Sequence, residues 1–409
     1  MTGSDSSDID PAVADRNRRL VTALLDGDHR SLARVISRIE DRAPGHRDLV
    51  SRLHAHTGSA AVIGITGSPG AGKSTLVDKL AAAYRDRGDT VGVVAIDPAS
   101  PYSGGSVLGD RIRMAATVGD MAVFVRSMSA RGRLGGLSTA TTDAVHALDA
   151  FGKDVVLVET VGAGQNEIEI VRTADTVAVV VQPGSGDDVQ MLKAGILEIG
   201  DVFAVNKADM DGVDRLLAEL EEMLHRDAAG GAVGGGTHTG GHHGSTHGVE
   251  TADGTGPDRG DLGSGGQSGA NARDADDDPG SEPPAWHPRV VTTVATTGEG
   301  IDDLVDAFDA HTRYLRASDA GRERARSRHA AEIRRLVRED TNVLVDAELR
   351  RRGGLDALAD RVLAGDTDPY AIASSVVDPI VDCVEAERVS GDADGMDEPT
   401  PGDDPDTGA

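Results

Sequence analysis

A glycine-rich stretch at residues 64–75, GITGSPGAGKST, has the residue types and the spacing that bind the phosphates of a nucleotide. It fits the pattern G-x-x-x-x-G-K-[ST], follows an apolar run typical of a strand, and opens a helical segment. In such a loop, backbone N–H groups surround phosphate oxygens, the lysine reaches the β and γ phosphates, and the next hydroxyl ligates Mg²⁺. The predicted nucleotide-binding residues here are Gly67, Ser68, Pro69, Gly70, Ala71, Gly72, Lys73, Ser74 and Thr75.

A second motif, NKAD at residues 206–209, indicates which base is bound. In N-K-x-D proteins the carboxylate, here Asp209, accepts hydrogen bonds from N1–H and N2–H₂ of guanine, while Asn206 and Lys207 brace the loop and the ring. Adenine lacks this pair of donors, so a carboxylate facing adenine would stay unpaired at a large cost in binding free energy. The motif therefore predicts GTP rather than ATP as the substrate.

Three carboxylates near predicted strand ends are candidates for holding Mg²⁺ together with Ser74. Asp97 follows the run VGVVAI, Asp110 follows a glycine-rich loop, and Glu159 ends the wholly apolar run VVLV. Mg²⁺ takes few protein oxygens, and ligands of α/β sheets gather at the carboxyl ends of strands. The alternative for Asp97 and Asp110 is that each only caps a loop.

The loop after Glu159 lacks a side chain that many regulatory GTPases use to orient the attacking water. The sequence reads ETVGAG, and Ala163 stands directly after Gly162, where those enzymes carry Gln. We therefore expect slow intrinsic hydrolysis, with assistance from other side chains or from a partner protein.

Short β-branched runs alternate with helical segments from residue 61 onward, and these elements must position the motifs. The predicted strands are VIGIT, VGVVAI, AVFVRS, VVLVE, VAVVV, VFAVN and RVVTTV. Runs this apolar, separated by helices, indicate an α/β fold with a mainly parallel sheet covered on both faces. Before them, residues 13–57 carry helical periodicity, with Asp28 as a predicted N-cap.

Composition changes along the chain suggest several segments around a nucleotide-binding domain. Gly, Ser and Asp dominate the middle of the chain so strongly that too little apolar surface is available to offset the ordering entropy, which favours disorder there. The expected segments are a disordered 1–12, an N-terminal helical extension 13–57, a GTPase domain 58–226 and 286–315, a low-complexity disordered insertion 227–285, a C-terminal helical region 316–388, and an acidic disordered tail 389–409.

The overall charge restricts the classes of partner. A formal net charge of −28 argues against a broad basic face for nucleic acid or an anionic membrane. The composition is acidic and has only five lysines, which is typical of proteins from a salt-rich cytoplasm. The single Cys383 excludes a disulfide framework, and no stretch approaches the roughly 20 apolar residues of a membrane span. We expect a cytoplasmic protein without nucleic-acid or membrane partners.

Taken in order, five motifs resemble one protein family. They are GITGSPGAGKST, VVAIDPASPYSGGSVLGDRIRM, ETVGAGQNE, QPGSGDDVQMLKAG and NKAD. This series resembles the methylmalonyl-CoA mutase-associated GTPases of the MeaB or ArgK type, which are related to the human methylmalonic aciduria type A protein. The resemblance extends over residues 15–225 and 286–385. It implies a SIMIBI-class P-loop GTPase, a homodimer with a C-terminal helical dimerisation arm, and a chaperone that loads or protects adenosylcobalamin on methylmalonyl-CoA mutase.

The resemblance also implies roles for individual residues. It places Asp97 and Asp110 in a first switch, Glu159 and Gly162 in a second, and Lys193 in a third switch that communicates with the partner. The implied catalytic residues are Lys73, Asp97, Asp110, Glu159, Gly162 and Lys193, and the implied metal ligands are Ser74, Asp97, Asp110 and Glu159.

One base-contacting loop departs from the family pattern. The loop TVATTGEG would place Val294, Ala295 and Thr296 beside guanine, but Val294 stands where the family usually has Ser. The expected base contact must therefore come from backbone N–H groups.

Two other functions are compatible with parts of the sequence. A kinase of the ArgK transport type would require an acceptor pocket, which the sequence does not indicate, and NKAD argues against ATP. A nickel-type metallochaperone GTPase would use imidazoles of the insertion as metal ligands. Those imidazoles belong to His238, His242, His243 and His247. A low-complexity linker is the simpler interpretation of that segment.

Overall fold

The computed structural model describes residues 9–97, 120–129, 136–160, 170, 173–184, 197–231 and 285–393. The strands among them are β1 (Ala61–Gly67), β2 (Val91–Asp97), β3 (Val123–Ser129), β4 (Val155–Thr160), β5 (Thr176–Val181), β6 (Val202–Asn206) and β7 (Arg289–Thr293). They form one sheet in the order β3-β2-β4-β1-β5-β6-β7, and every pairing between these neighbours is parallel. The predicted parallel α/β sheet is confirmed.

Burial explains why the central strands are so apolar. Every residue of β4 and of β5 is buried. Successive side chains of a strand point to opposite faces, and the buried residues of the sheet accordingly divide into two alternating core layers. Because both faces are covered, an unbroken apolar run is favoured over alternation.

The described helices are α1 (Pro11–Leu25), α2 (His29–Glu40), α3 (His46–His54), α4 (Lys73–Asp86), α5 (Gly136–Ala150), α6 (Val213–Gly231), α7 (Ile301–Ala317), α8 (Asp319–Arg351), α9 (Gly354–Leu363) and α10 (Pro369–Ala393). Among them, α4, α5 and α7 pack against strands of the sheet, and they cover both of its faces. Leu80 of α4 and Phe308 of α7 belong to one core layer, whereas Leu148 of α5 and Ile36 of α2 belong to the other. Each such fully buried side chain contributes about 1.5–3 kcal/mol.

The N-terminal helices begin at identifiable caps. Helix α1 starts at Pro11, inside the segment 1–12 that was expected to be disordered, because the Asp10 carboxylate accepts from the backbone N–H of Ala12 and proline suits the first helical position. The expectation was therefore wrong for residues 11 and 12. The predicted cap at Asp28 is confirmed, since its carboxylate accepts from the N–H groups of Arg30 and Ser31.

Two helices extend beyond the expected segment limits. Helix α6 continues to Gly231, past the expected start of the insertion at 227, and Ala228 and Ala229 in this turn are strong helix formers. Helix α10 continues to Ala393, past the expected limit at 388. Residues 232–284 and 394–409 lie outside the described part of the chain.

The chain divides into two compact units, residues 1–323 and 324–409. In the second unit, α9 packs on α10, and Leu358 and Val376 are buried there. Arg352 joins α10 to the end of α8, because its guanidinium donates to the Glu348 carboxylate at 2.7 Å and to the Ser375 carbonyl at 2.6 Å. In the described ranges, no helix has both the length and the apolar character needed to cross a membrane.

Candidate functional site

The predicted motifs meet at one edge of the sheet. The phosphate loop follows β1, Glu159 lies in β4, NKAD begins at the end of β6, and TVATTGEG follows β7. All of these strands are parallel and β1 lies between β4 and β5, so their carboxyl ends share the same edge. This edge is where α/β sheets bind ligands.

Two glycines of the phosphate loop are required by the backbone and by close neighbours. Gly67 has φ of 140°, and a Cβ there would lie 2.0 Å from the carbonyl oxygen of Val180 in β5. Gly72 has φ of 91°, and a Cβ there would lie 2.5 Å from the side-chain nitrogen of Asn206. These are regions of backbone space that only glycine adopts readily, so the loop follows its particular path around the phosphate site.

Lys73 begins α4, and its side chain is buried with the ammonium turned back onto the phosphate loop. Its Nζ donates to the carbonyl oxygens of Gly67 at 2.7 Å and of Ser68 at 2.8 Å. Only 6% of the residue is exposed. A buried ammonium at the N-terminus of a helix adds to the positive end of the helix dipole, so the loop is prepared to receive phosphate oxygens.

Ser74 in the first turn of α4 and Glu159 in β4 form a hydrogen-bonded pair of side-chain oxygens. The Ser74 hydroxyl donates to Oε1 of Glu159 at 2.5 Å, and Glu159 is only 7% exposed. Next to Glu159, the Thr160 hydroxyl donates to that of Thr66 at 3.1 Å, which joins the ends of β4 and β1. A hydroxyl and a carboxylate in contact are the hard oxygen donors that Mg²⁺ prefers. These residues therefore fit the predicted metal position.

Asn206 connects the guanine motif to the phosphate loop. Its Nδ2 donates to the carbonyl oxygen of Ala71 at 2.7 Å. Its Oδ1 accepts from the Thr293 hydroxyl at 3.2 Å and from the backbone N–H of Ala295 at 3.1 Å. The residue is 2% exposed. One buried amide thus holds together three loops, which follow β1, β6 and β7.

Lys207, the next residue, also contacts the phosphate loop and in addition reaches the end of β5. Its backbone is left-handed, with φ of 60°, and its Nζ donates to the carbonyl oxygen of Gly70 at 2.8 Å and to Oε1 of Gln182 at 2.6 Å. Asp209, two residues later, is exposed and thus accessible to a base. Gln182 opens the motif QPGSGDDVQMLKAG, but the sequence analysis gave it no role in the site, although a polar residue directly after the apolar run VAVVV was an available signal.

The loop after β7 uses two of its N–H groups within the protein. The N–H of Val294 donates to the carbonyl oxygen of Glu299 at 3.0 Å, and that of Ala295 donates to Asn206. Val294 and Ala295 are buried, whereas Thr296 is exposed. Of the three residues predicted to lie beside guanine, Thr296 is therefore the one with an accessible position.

The structure brings together the phosphate loop, Glu159 and NKAD, but it does not describe every predicted residue. Asp97 is the last residue of β2, where its backbone pairs in register with Ser129. Asp110, Gly162 and Lys193 lie outside the described residues.

Comparisons with known proteins show which proteins this chain is similar to. A putative GTPase of Pyrococcus abyssi is 40% identical over 362 residues, which cover 88% of this chain and 96% of the relative. The mouse protein named methylmalonic aciduria type A homolog, mitochondrial, is 33% identical over 207 residues, covering 47% of this chain and 50% of its own. A crystal structure titled LAO/AO transport system kinase covers 91% of this chain and 99% of its own, with 22% identity and a TM-score of 0.54, and shows the shared fold.

A family model supplies the assignment. The model described as methylmalonyl Co-A mutase-associated GTPase MeaB matches residues 32–349, which include the phosphate loop, Glu159, NKAD and the loop after β7. The Pyrococcus abyssi relative and the family model are both named as GTPases, in agreement with the guanine motif beside the phosphate loop. The chain is thus a GTP-hydrolysing enzyme, and it belongs to the MeaB family of methylmalonyl-CoA mutase-associated GTPases.

Proposed function

We propose that this GTPase is a chaperone that controls the loading or protection of adenosylcobalamin on methylmalonyl-CoA mutase. The description of its family names the mutase, and one relative is named for methylmalonic aciduria. The structural observation that carries the proposal is the Asn206 side chain, which ties the guanine motif to the phosphate loop. Through this hydrogen bond, binding of guanine at the NKAD motif would affect the phosphate loop and the neighbouring strand ends that carry the rest of the site.

In this proposal, individual residues have separate roles in nucleotide binding. Lys73 and the backbone N–H groups of its loop neutralise phosphate charge, and Asp209 accepts from the guanine edge. Ser74 and Glu159 would hold Mg²⁺, with Asp97 and Asp110 as further proposed ligands. Bound Mg²⁺ supplies charge neutralisation on the β and γ phosphates.

Slow intrinsic GTP hydrolysis would make the switch of this GTPase depend on its partner. Ala163 and not Gln stands directly after Gly162, so Glu159 and the first-switch carboxylates are left to position the attacking water until the mutase supplies or orders a further group. GTP contacts would order the switch segments, Lys193 included, and hydrolysis would release them. We place this cycle in the cytoplasm.

The second unit is the proposed dimerisation arm. Helix α8 has no buried residue, and its exposed apolar residues include Ile333, Val337 and Leu344. Apolar side chains of this size on one helix are typical of surfaces that a second protein covers. We propose that a second copy of the chain covers them.

The test combines enzyme kinetics with affinity capture. The wild-type chain and Lys73→Ala are compared for hydrolysis of GTP and ATP, with and without purified methylmalonyl-CoA mutase, and for capture of the mutase from the chain's own cells. We expect GTP preference, faster hydrolysis with the mutase, and no nucleotide binding by the variant. ATP preference with phosphate transfer to an acceptor would support a kinase and overturn the chaperone proposal. Tight GTP binding by Lys73→Ala would contradict the site assignment.

A further inference from the structure

One ammonium joins the carboxyl ends of three strands. Lys207, just after β6, donates from Nζ to the carbonyl oxygen of Gly70 in the loop after β1 and to Oε1 of Gln182, the residue directly after β5. Because β5 lies between β1 and β6 in the sheet, Gln182 stands between the two loops that Lys207 connects. The shorter of the two contacts, at 2.6 Å, is the one to Gln182.

The backbone of Lys207 needs support from its surroundings. A left-handed conformation costs a non-glycine residue about 1–2 kcal/mol, and Lys207 has φ of 60°. The next residue, Ala208, donates its N–H to the carbonyl oxygen of Thr293, which holds the backbone on one side. The long side chain also loses rotamer entropy when it is held in one conformation. The two acceptors of the ammonium offset this loss before any nucleotide binds.

Gln182 is itself held in place from both directions. It follows the buried strand β5, and after it come the buried Pro183 and the left-handed Gly184, which has φ of 80°. Proline restricts its own φ and glycine adopts positive φ at little cost, so the turn has a defined path. A hydrogen-bond acceptor in such a well-defined turn fixes the position of a flexible lysine side chain better than an acceptor on a mobile loop does.

We propose that Gln182 is a positioning residue for guanine binding, which holds Lys207 so that the NKAD loop is already formed in the nucleotide-free protein. This inference rests on the proposed guanine site. Gln182 would act on the binding of the guanine base, which GTP and GDP share, so its loss must weaken the binding of both nucleotides equally. Gln182 takes part in no chemical step, so the turnover rate at saturating GTP must change much less than the affinity.

The experiment uses two substitutions in the full chain. Gln182→Leu keeps similar side-chain volume but removes the acceptor, and Gln182→Glu keeps an acceptor. We expect Gln182→Leu to weaken the binding of GTP and of GDP by the same factor, about 10- to 150-fold, the effect of losing a hydrogen bond from a charged donor. The kcat of Gln182→Leu should fall by less than about twofold, and its melting temperature without nucleotide should stay unchanged. Gln182→Glu should bind both nucleotides nearly as tightly as wild type, because a carboxylate accepts a hydrogen bond from an ammonium at least as strongly as an amide does.

Several outcomes would overturn the inference. Wild-type affinity in Gln182→Leu would show that the contact is dispensable. A loss of affinity for GTP but not for GDP would indicate that Gln182 acts on the γ-phosphate and not on the base. Equal losses in both variants, together with a lower melting temperature, would indicate a packing role only. Asp209→Asn separates this failure from failure of the guanine site: an amide in place of the carboxylate should favour xanthosine over guanosine nucleotides, and absence of that shift would reject the site itself.

Discussion

Removing the side chain of Asn206 tests the idea that nucleotide affinity depends on a preformed connection between loops. Asn206→Ala deletes three hydrogen bonds, to Ala71, Thr293 and Ala295. Each contributes about 1 kcal/mol, and a buried group left without a partner costs about 1–3 kcal/mol, so a total of about 2–3 kcal/mol is a conservative value. If the loops then separate until nucleotide binds, binding must supply this free energy, and affinity for GDP falls about 30- to 150-fold.

The affinity is measured by equilibrium titration with a fluorescent GDP analogue, and Thr293→Val serves as a matched control. Thr293→Val removes only one of the hydrogen bonds to Asn206 and keeps the side-chain volume, so the expected loss is about fivefold. A folded Asn206→Ala protein that loses less than about fivefold in affinity would refute the reasoning, because the loops would then hold together without the amide. The same small loss would also weaken the proposed function, which depends on that connection.

Two further predictions concern the metal position and pH. Ser74→Ala removes the hydroxyl that contacts Glu159, and we expect its GTP affinity to lose its dependence on Mg²⁺, measured by titration with and without a chelator; an unchanged Mg²⁺ response would exclude Ser74 as a ligand. For Asp48, burial acts to raise the pKa, but hydrogen bonds from Arg52 and Asn17 lower the pKa overall. A lowered folded-state pKa contributes stability that is present above the unfolded pKa of about 3.9 and is lost as the pH falls below it. Urea unfolding between about pH 5 and pH 3 should therefore be less pH-dependent in Asp48→Asn than in wild type, and identical pH profiles would contradict this assignment.

Local patterns were sufficient to predict the elements and their order. The seven apolar runs became seven strands because β-branched residues that are buried on both faces leave a continuous signal in the sequence. The phosphate loop was predictable for a similar reason, since its glycines, lysine and hydroxyl are adjacent in the chain. Segment limits were predicted less well: a helix begins at Pro11, where the Asp10 side chain caps it, and other helices continue to Gly231 and to Ala393.

Contacts between distant residues were not predictable from such patterns. Asn206 and Ala71 are 135 residues apart, and Lys207 reaches Gln182 and Gly70 from a different strand. Sequence alone determined that this chain carries a phosphate loop, a guanine motif and a buried parallel sheet, because each is written in neighbouring residues. The tertiary structure decided how they work together, because only the order of β4, β1, β5 and β6 in the sheet brings Glu159 to Ser74, Asn206 to the phosphate loop, and Gln182 to Lys207.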